Sequence, residues 1–159
     1  MPKVMWNIQG CNISWNMQVP AAGRYNSILD IYFNRSASIG NSKSNISCNI
    51  MMLLNERNFY YNGYWDGWQE RAWIGGHEWY VIKKSITESG NTFNWIILDK
   101  VNKTTNLANF DLKSAFVYCA SKGYLGWNDY LCSIQSGWEI IDGGGGAAFK
   151  SNSLSTNLW

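Results

Sequence analysis

Apolar residues in this chain recur at every second position far more often than at helical spacing, and that period decides what the chain can fold into. Residues 12–19 set Ile13, Trp15 and Met17 against Ser14, Asn16 and Gln18. Residues 27–34 put Leu29, Ile31 and Phe33 on one face and Ile28, Asp30 and Tyr32 on the other. Residues 46–55 divide Ile46, Cys48, Ile50, Met52 and Leu54 from Asn49, Met51, Leu53 and Asn55. Successive side chains of a strand point to opposite faces, so each run reads as a strand. Further strands are predicted at 71–74, 78–85, 92–99, 130–141 and 147–158, punctuated by turn signals such as Gly75-Gly76 and Ser89-Gly90-Asn91. Helical spacing is clear only over residues 111–122, where Leu112, Phe116, Cys119 and Ala120 share one face. Asn109 or Asp111 can cap its start, and Gly123 stands where a C′ glycine belongs. One helix among so many strands predicts an all-β jelly-roll sandwich of two antiparallel sheets with one packed helix. With 159 residues, no internal repeat and no linker, residues 1–159 read as a single domain.

Composition narrows the function classes. Charged residues are 15% and the net charge is +2, which argues against a nucleic-acid arm, a polybasic membrane patch or an acidic tail. Aromatics at 16%, ten of them Trp, argue against disorder. No apolar run reaches the roughly 18–20 residues of a membrane helix, and Met1-Pro2-Lys3 leads into polar sequence without a signal peptide. Cys11, Cys48, Cys119 and Cys132 lack zinc-site spacing and His77 is the sole histidine, so no metal is expected. The four cysteines either form two disulfides or behave as buried thiols, with the thiols favoured. Sequons at Asn12, Asn34, Asn45 and Asn102 are weak evidence of secretion in so Asn-rich a chain. Phosphate loops, dinucleotide fingerprints, nucleophile elbows and zinc-protease motifs are all missing, so no cofactor is expected.

Two residue classes remain as candidates for chemistry. Trp15, Trp79 and Trp95 sit inside strands and are expected in the core. Trp65 and Trp68 lie in a polar, Gly-containing segment, Tyr60-Tyr61-Asn62-Gly63-Tyr64-Trp65-Asp66-Gly67-Trp68. Their indoles suit the apolar face of a sugar ring as well as they suit a self-packed loop. Most carboxylates are scattered singly. Asp30 and Glu139, however, each interrupt a largely uncharged strand, where a carboxylate must pair, accept hydrogen bonds or titrate late. A glycosidase needs two such groups facing each other across a cleft.

The last third of the chain carries a resemblance. Asn94-Trp95-Ile96-Ile97-Leu98, then Asn109-Phe110-Asp111-Leu112-Lys113, then Tyr130-Leu131-Cys132-Ser133-Ile134-Gln135-Ser136-Gly137-Trp138-Glu139 and a Gly-rich turn resemble glycoside hydrolase family 12. Gly75-Gly76-His77-Glu78-Trp79, the strand holding Asp30, and Asn12-Ile13-Ser14-Trp15 extend the match over nearly the whole chain. The resemblance implies a β-1,4-glucan hydrolase of cellulase or xyloglucanase type, acting on polysaccharide, with extracellular action. It gives Glu139 the general acid/base role and places Asp30 beside the nucleophile.

Two departures accompany it. The segment that resembles the nucleophile strand is Cys48-Asn49-Ile50-Met51-Met52-Leu53-Leu54, with Asn49 at the nucleophile position and Leu53 at a sugar-contacting Trp. Glu56 lies seven residues beyond Asn49, an odd number, and is expected on the opposite face. About sixty residues of N-terminal strands of the family are also missing from the resemblance. The concave face is expected to hold Asp30, Asn49, Met51, Gln135 and Glu139, with Trp65 and Trp68 as sugar platforms. Function then divides between an endo-β-1,4-glucanase whose second carboxylate is Asp30 or another group, and a relative that binds β-glucan or xyloglucan, or another protein, without cleavage. A purely structural jelly roll is a third reading. The oligomeric state stays open.

Overall fold

The computed structural model describes residues 2–38, 44–59, 69–143 and 148–159. In chain order the strands are β1 (Lys3–Val4), β2 (Cys11–Gln18), β3 (Arg24–Asn34), β4 (Ile46–Arg57), β5 (Gln69–Ile74) and β6 (His77–Glu88). They continue with β7 (Asn91–Lys100), β8 (Asn106–Asp111), β9 (Tyr130–Asp142) and β10 (Lys150–Leu158), with helix α1 (Leu112–Ser121) between β8 and β9. Among the described residues they form a seven-stranded sheet, β1-β9-β3-β4-β7-β6-β5, and a three-stranded sheet, β10-β2-β8. The architecture is the jelly-roll sandwich with one packed helix that the alternation predicts.

The core lies between the sheets and takes one face of each run. Leu29, Ile31 and Phe33 from β3, with Cys48, Ile50 and Met52 from β4, meet Ile13 and Trp15 of β2. The helix adds Leu112, Phe116 and Cys119, all fully buried, so its apolar stripe closes the same core. Each such side chain contributes roughly 1.5–3 kcal/mol of burial. Gly123 (φ +71°) ends the helix: its N–H donates to Ala120 O (3.0 Å) and that of Tyr124 to Cys119 O (2.9 Å), a Schellman stop. Asp111 occupies the N-cap position without making a side-chain cap bond. All four cysteines are free thiols; Cys11, Cys48 and Cys119 are buried, and burial pushes the Cys11 thiol up to about 11. Of the sequon residues, Asn34 is fully buried and its Nδ2 donates to Ser38, so it is no glycan acceptor in the folded chain.

Three features depart from the reading of the sequence. First, the sheets are not wholly antiparallel: β4 and β7 pair in parallel, from Cys48 opposite Asn94 to Leu53 opposite Asp99. Alternation reveals a strand's faces and not its neighbours, and β7 inserts between β4 and β6 after the β5–β6 hairpin. Second, β8 was not expected. Its inward residues Leu107 and Phe110 are three apart because the pairing with β2 shifts register there, with Asn109 at φ 47°. Third, β4 carries a bulge. Ile28 pairs with Leu53 but Ser27 pairs with Asn55, leaving Leu54 as the extra residue.

Candidate active-site groove

The outer face of the large sheet, opposite the core, is built by the other half of each alternation. From β3 it takes Asn26, Ile28, Asp30 and Tyr32. From β4 it takes Asn49, Met51 and Leu53, and from β9 Gln135, Gly137 and Glu139. The registers put Tyr32 beside Asn49, Asp30 between Met51 and Gln135, and Asn26 beside Glu139. Met51, Leu53, Phe59, Ile82 and Ile97 pack into a small second cluster that floors this face, with Ile28 and Trp95 against it.

Asp30 is the hub of one polar group. Asn49 Nδ2 donates to Asp30 Oδ1 (2.7 Å) and to the Ile31 carbonyl (3.2 Å), and Tyr32 Oη donates to Asp30 Oδ2 (2.9 Å). Asn49 is only 6% exposed. A carboxylate only accepts, so an amide is the side chain that can satisfy it here; a second carboxylate would repel it. Two rows along, beyond Ile28, Asn26 Nδ2 donates to Glu139 Oε2 (2.7 Å) and Asn26 Oδ1 accepts from the Glu139 N–H (3.3 Å). This two-point clasp fixes where the Glu139 carboxylate can lie.

Depressions flank the Asp30–Asn49 pair. One, of about 230 Å³, is lined by Tyr32, Asn49, Phe93 and Trp95 among others. The other, of about 130 Å³, lies against Ile28, Asp30, Gln135 and Gly137. Each is smaller than an enclosed ligand pocket of about 300–1,000 Å³, as suits an open groove for a chain. Gly137 contributes directly: a Cβ there would meet nothing within 4 Å, so the missing side chain leaves the groove open beside Glu139. A larger depression, about 570 Å³, lies near Gly10, Lys113 and Trp159, away from this face. Its one lining carboxylate is Asp111.

A third polar group sits further along β4. The Lys103 ammonium pairs with Glu56 Oε1 (3.2 Å) and with Asp99 Oδ1. Asp99, 3% exposed, stands beside Leu53 in the parallel register and so belongs to the groove face. Burial raises its carboxyl from 3.8 to about 6, although Lys103 pulls the other way. Glu56 is on this face too, because the bulge at Leu54 reverses the alternation and sets Glu56 opposite Asn26. Glu56 therefore does not face the opposite side, contrary to the expectation from its seven-residue distance from Asn49.

No family model matches the chain, and no curated protein sequence matches it. Solved structures do. The Cel12A endoglucanase of Rhodothermus marinus matches with a TM-score of 0.84 over 100% of this chain and 66% of its own, at 23% identity. The native family 12 xyloglucanase of Bacillus licheniformis matches with a TM-score of 0.85, over 100% and 66%, at 23% identity. The fold is that of glycoside hydrolase family 12. The xyloglucanase domain of a type three effector from Sinorhizobium fredii, solved with cellobiose, also matches, with a TM-score of 0.79 at 24% identity over 100% and 72%. The chain spans about two thirds of the length of the two family 12 enzymes, at identities that carry the fold alone.

On this family 12 fold, Asp30, Asn49, Met51, Gln135 and Glu139 all lie on the groove face. Met51 is buried floor, and Gln135 is exposed, with its Nε2 near Ser133 Oγ (3.5 Å). Trp65 and Trp68 fall outside the described residues. Trp15 and Trp79 are core residues as expected, but Trp95 is not: it lines the groove cavity. Its parity with Ile97, rather than Ile96, carried that signal. Asn26 was also legible, an even number of residues before Asp30. The Glu56–Lys103–Asp99 group was not, because a bulge leaves no mark in an apolar run.

Proposed function

We propose that the outer groove binds a β-1,4-glucan chain of cellulose or xyloglucan type, with Glu139 as proton donor, and that hydrolysis by double displacement is closed to it. The observation that carries this reading is the Asn49–Asp30 pair on the same face as Glu139. Supporting the ligand class are the family 12 fold, the cellobiose complex of one neighbour, and a groove that mixes an indole, a phenol and carboxylates. In double displacement the second carboxylate attacks C1. An amide carries no charge for the oxocarbenium-like transition state and is a poor nucleophile, and losing a nucleophile costs several orders of magnitude in rate. The same substitution favours a second reading, a β-glucan-binding protein that does not cleave at all.

Asn49→Glu tests the reading. The variant is expected to gain hydrolysis of an activated aryl β-cellobioside with retention and to be trapped covalently by a 2-fluoro glycoside. Unmodified chain that already forms the covalent adduct would sink it.

A further inference from the structure

The β5–β6 hairpin extends the groove face beyond its floor of Met51 and Leu53. Its turn is Gly75-Gly76, both at positive φ (58° and 79°), which sets Trp73 directly opposite Glu78 and Arg71 opposite Tyr80. Ala72 pairs with Trp79, and Trp79 is fully buried in the core with its indole N–H on the Ile74 carbonyl (3.1 Å). The alternate residues Arg71, Trp73, Glu78 and Tyr80 therefore stand on the outer face. Register carries that face across the sheet: Tyr80 pairs with Asp99, Asp99 with Leu53, Leu53 with Ile28, and Ile28 with Gly137. Trp73 is 74% exposed, more than any other large apolar side chain among the described residues. We propose that Trp73 is the stacking platform of a distal sugar subsite at the β5 end of the groove, where it meets the far end of a bound β-1,4-glucan chain.

A lone exposed indole carries no message by itself; this one is singled out by what surrounds it. A pyranose offers an apolar C–H face and a rim of hydroxyls, so it is held by a flat ring with donors and acceptors at the edge. Arg71 and Glu78 supply that edge. Arg71 Nη1 donates to Glu78 Oε1 (3.1 Å) and Arg71 Nη2 to the Tyr80 hydroxyl (2.6 Å), with the guanidinium 4.9 Å from the centre of the Tyr80 ring. The guanidinium has further N–H donors beyond these two. Glu78 Oε2 has no partner among the described residues. The ion pair is thus held in place beside the indole while keeping donors and an acceptor for hydroxyls, and its opposite charges suit a neutral ligand.

Reach decides which ligands feel the platform. From Gly137 on β9 to Arg71 on β5 the row crosses five inter-strand steps, about 24 Å along the sheet. Extended cellohexaose spans that distance and cellotriose does not. The depression beside Gly137 and Asp30 therefore holds one end of a long oligosaccharide while Trp73 meets the other. The platform stands on a paired strand of a hairpin anchored by Trp79, so it is in place before the sugar arrives and binding orders little of the chain.

This inference rests on the glucan-binding reading, and length dependence separates the two. Cellotriose and cellohexaose are titrated by calorimetry into the unmodified chain, Trp73→Ala and Trp73→Tyr. The unmodified chain is expected to bind cellohexaose about fivefold more tightly than cellotriose, the worth of one stacked ring. Trp73→Ala should remove that advantage while leaving cellotriose affinity within about twofold, as a surface substitution does. Trp73→Tyr should keep most of it, because a phenol ring still stacks. Cellohexaose affinity unchanged in Trp73→Ala overturns the platform and leaves the glucan reading standing, and so does an equal loss at both lengths. A dimeric unmodified chain that becomes monomeric in Trp73→Ala, with sugar affinity unchanged, overturns it too and assigns the indole to self-association. Binding of neither sugar to the unmodified chain overturns both readings. Trp73 is exposed, so both variants should fold, and their melting temperatures check it.

Discussion

At one place on the groove face Asp30 is held by an amide and a phenol; further along β4, Asp99 and Glu56 are held by an ammonium. Both arrangements answer the same difficulty, a carboxylate withdrawn from water, which must be paired or hydrogen-bonded. The first uses two neutral donors, an amide and a phenol. The second gathers two carboxylates around one cation, and Asp99 rises to about 6. The difference teaches that Asn49 is well suited to its place structurally, whatever it removes chemically.

The comparison breaks most visibly at Glu139. Glu139→Gln is expected to lower any glycoside hydrolysis by about 10²–10⁴-fold while leaving glucan binding in place, as loss of a general acid does; steady-state assay on cello-oligosaccharides checks it. Next comes Lys103→Met, which strands two carboxylates around a vacated cation. It should destabilise the fold by about 3 kcal/mol at pH 7, the low end for breaking a buried pair, because Glu56 and Lys103 are partly exposed. Urea unfolding would show it, and a change under 1 kcal/mol would mean the group is solvated. The pH dependence follows from Asp99. An acid whose folded value lies above its unfolded one keeps its proton longer in the folded chain. Stability is therefore full below pH 3.8 and falls as pH rises, levelling off above about 6. That window corresponds to at most about 3 kcal/mol, and Asp99→Asn should remove the fall. The smallest expected effect sharpens the groove itself. Gly137→Phe fills the open space beside Glu139 and should weaken glucan binding about tenfold, roughly 1.4 kcal/mol. Its melting temperature should stay close to that of the parent, since a Cβ there meets nothing within 4 Å.

How far these features could be read from residues alone differs between the two groups as well. The Asp30 group lies on regular strands, where period-two spacing carries a side chain's facing over many residues. Asp30, Asn49, Gln135 and Glu139 were legible for that reason. The Glu56 group lies beyond the bulge at Leu54, and one extra residue reverses every facing that follows. Residues 53–55 read Leu-Leu-Asn, with no glycine to mark the irregularity. The same cause hid β8, whose Leu107 and Phe110 are both buried although three apart. The parallel β4–β7 pair was hidden differently, since it depends on the path of the chain between them. Trp95 was misplaced because residues 95–98 are apolar on both faces, and nothing local says which face meets the larger core.

The most direct test of the glucan-binding claim is a titration of the unmodified chain with cellohexaose and with a xyloglucan oligosaccharide, followed by tryptophan emission and by calorimetry. Trp95 lines the cavity beside Asn49, so bound sugar should change its emission. Saturable one-to-one binding, with dissociation constants of about a millimolar (−4.1 kcal/mol) or tighter, is the predicted result. Gly137→Phe should shift it to weaker binding. Neither heat nor spectral change with either oligosaccharide at several millimolar would contradict the account.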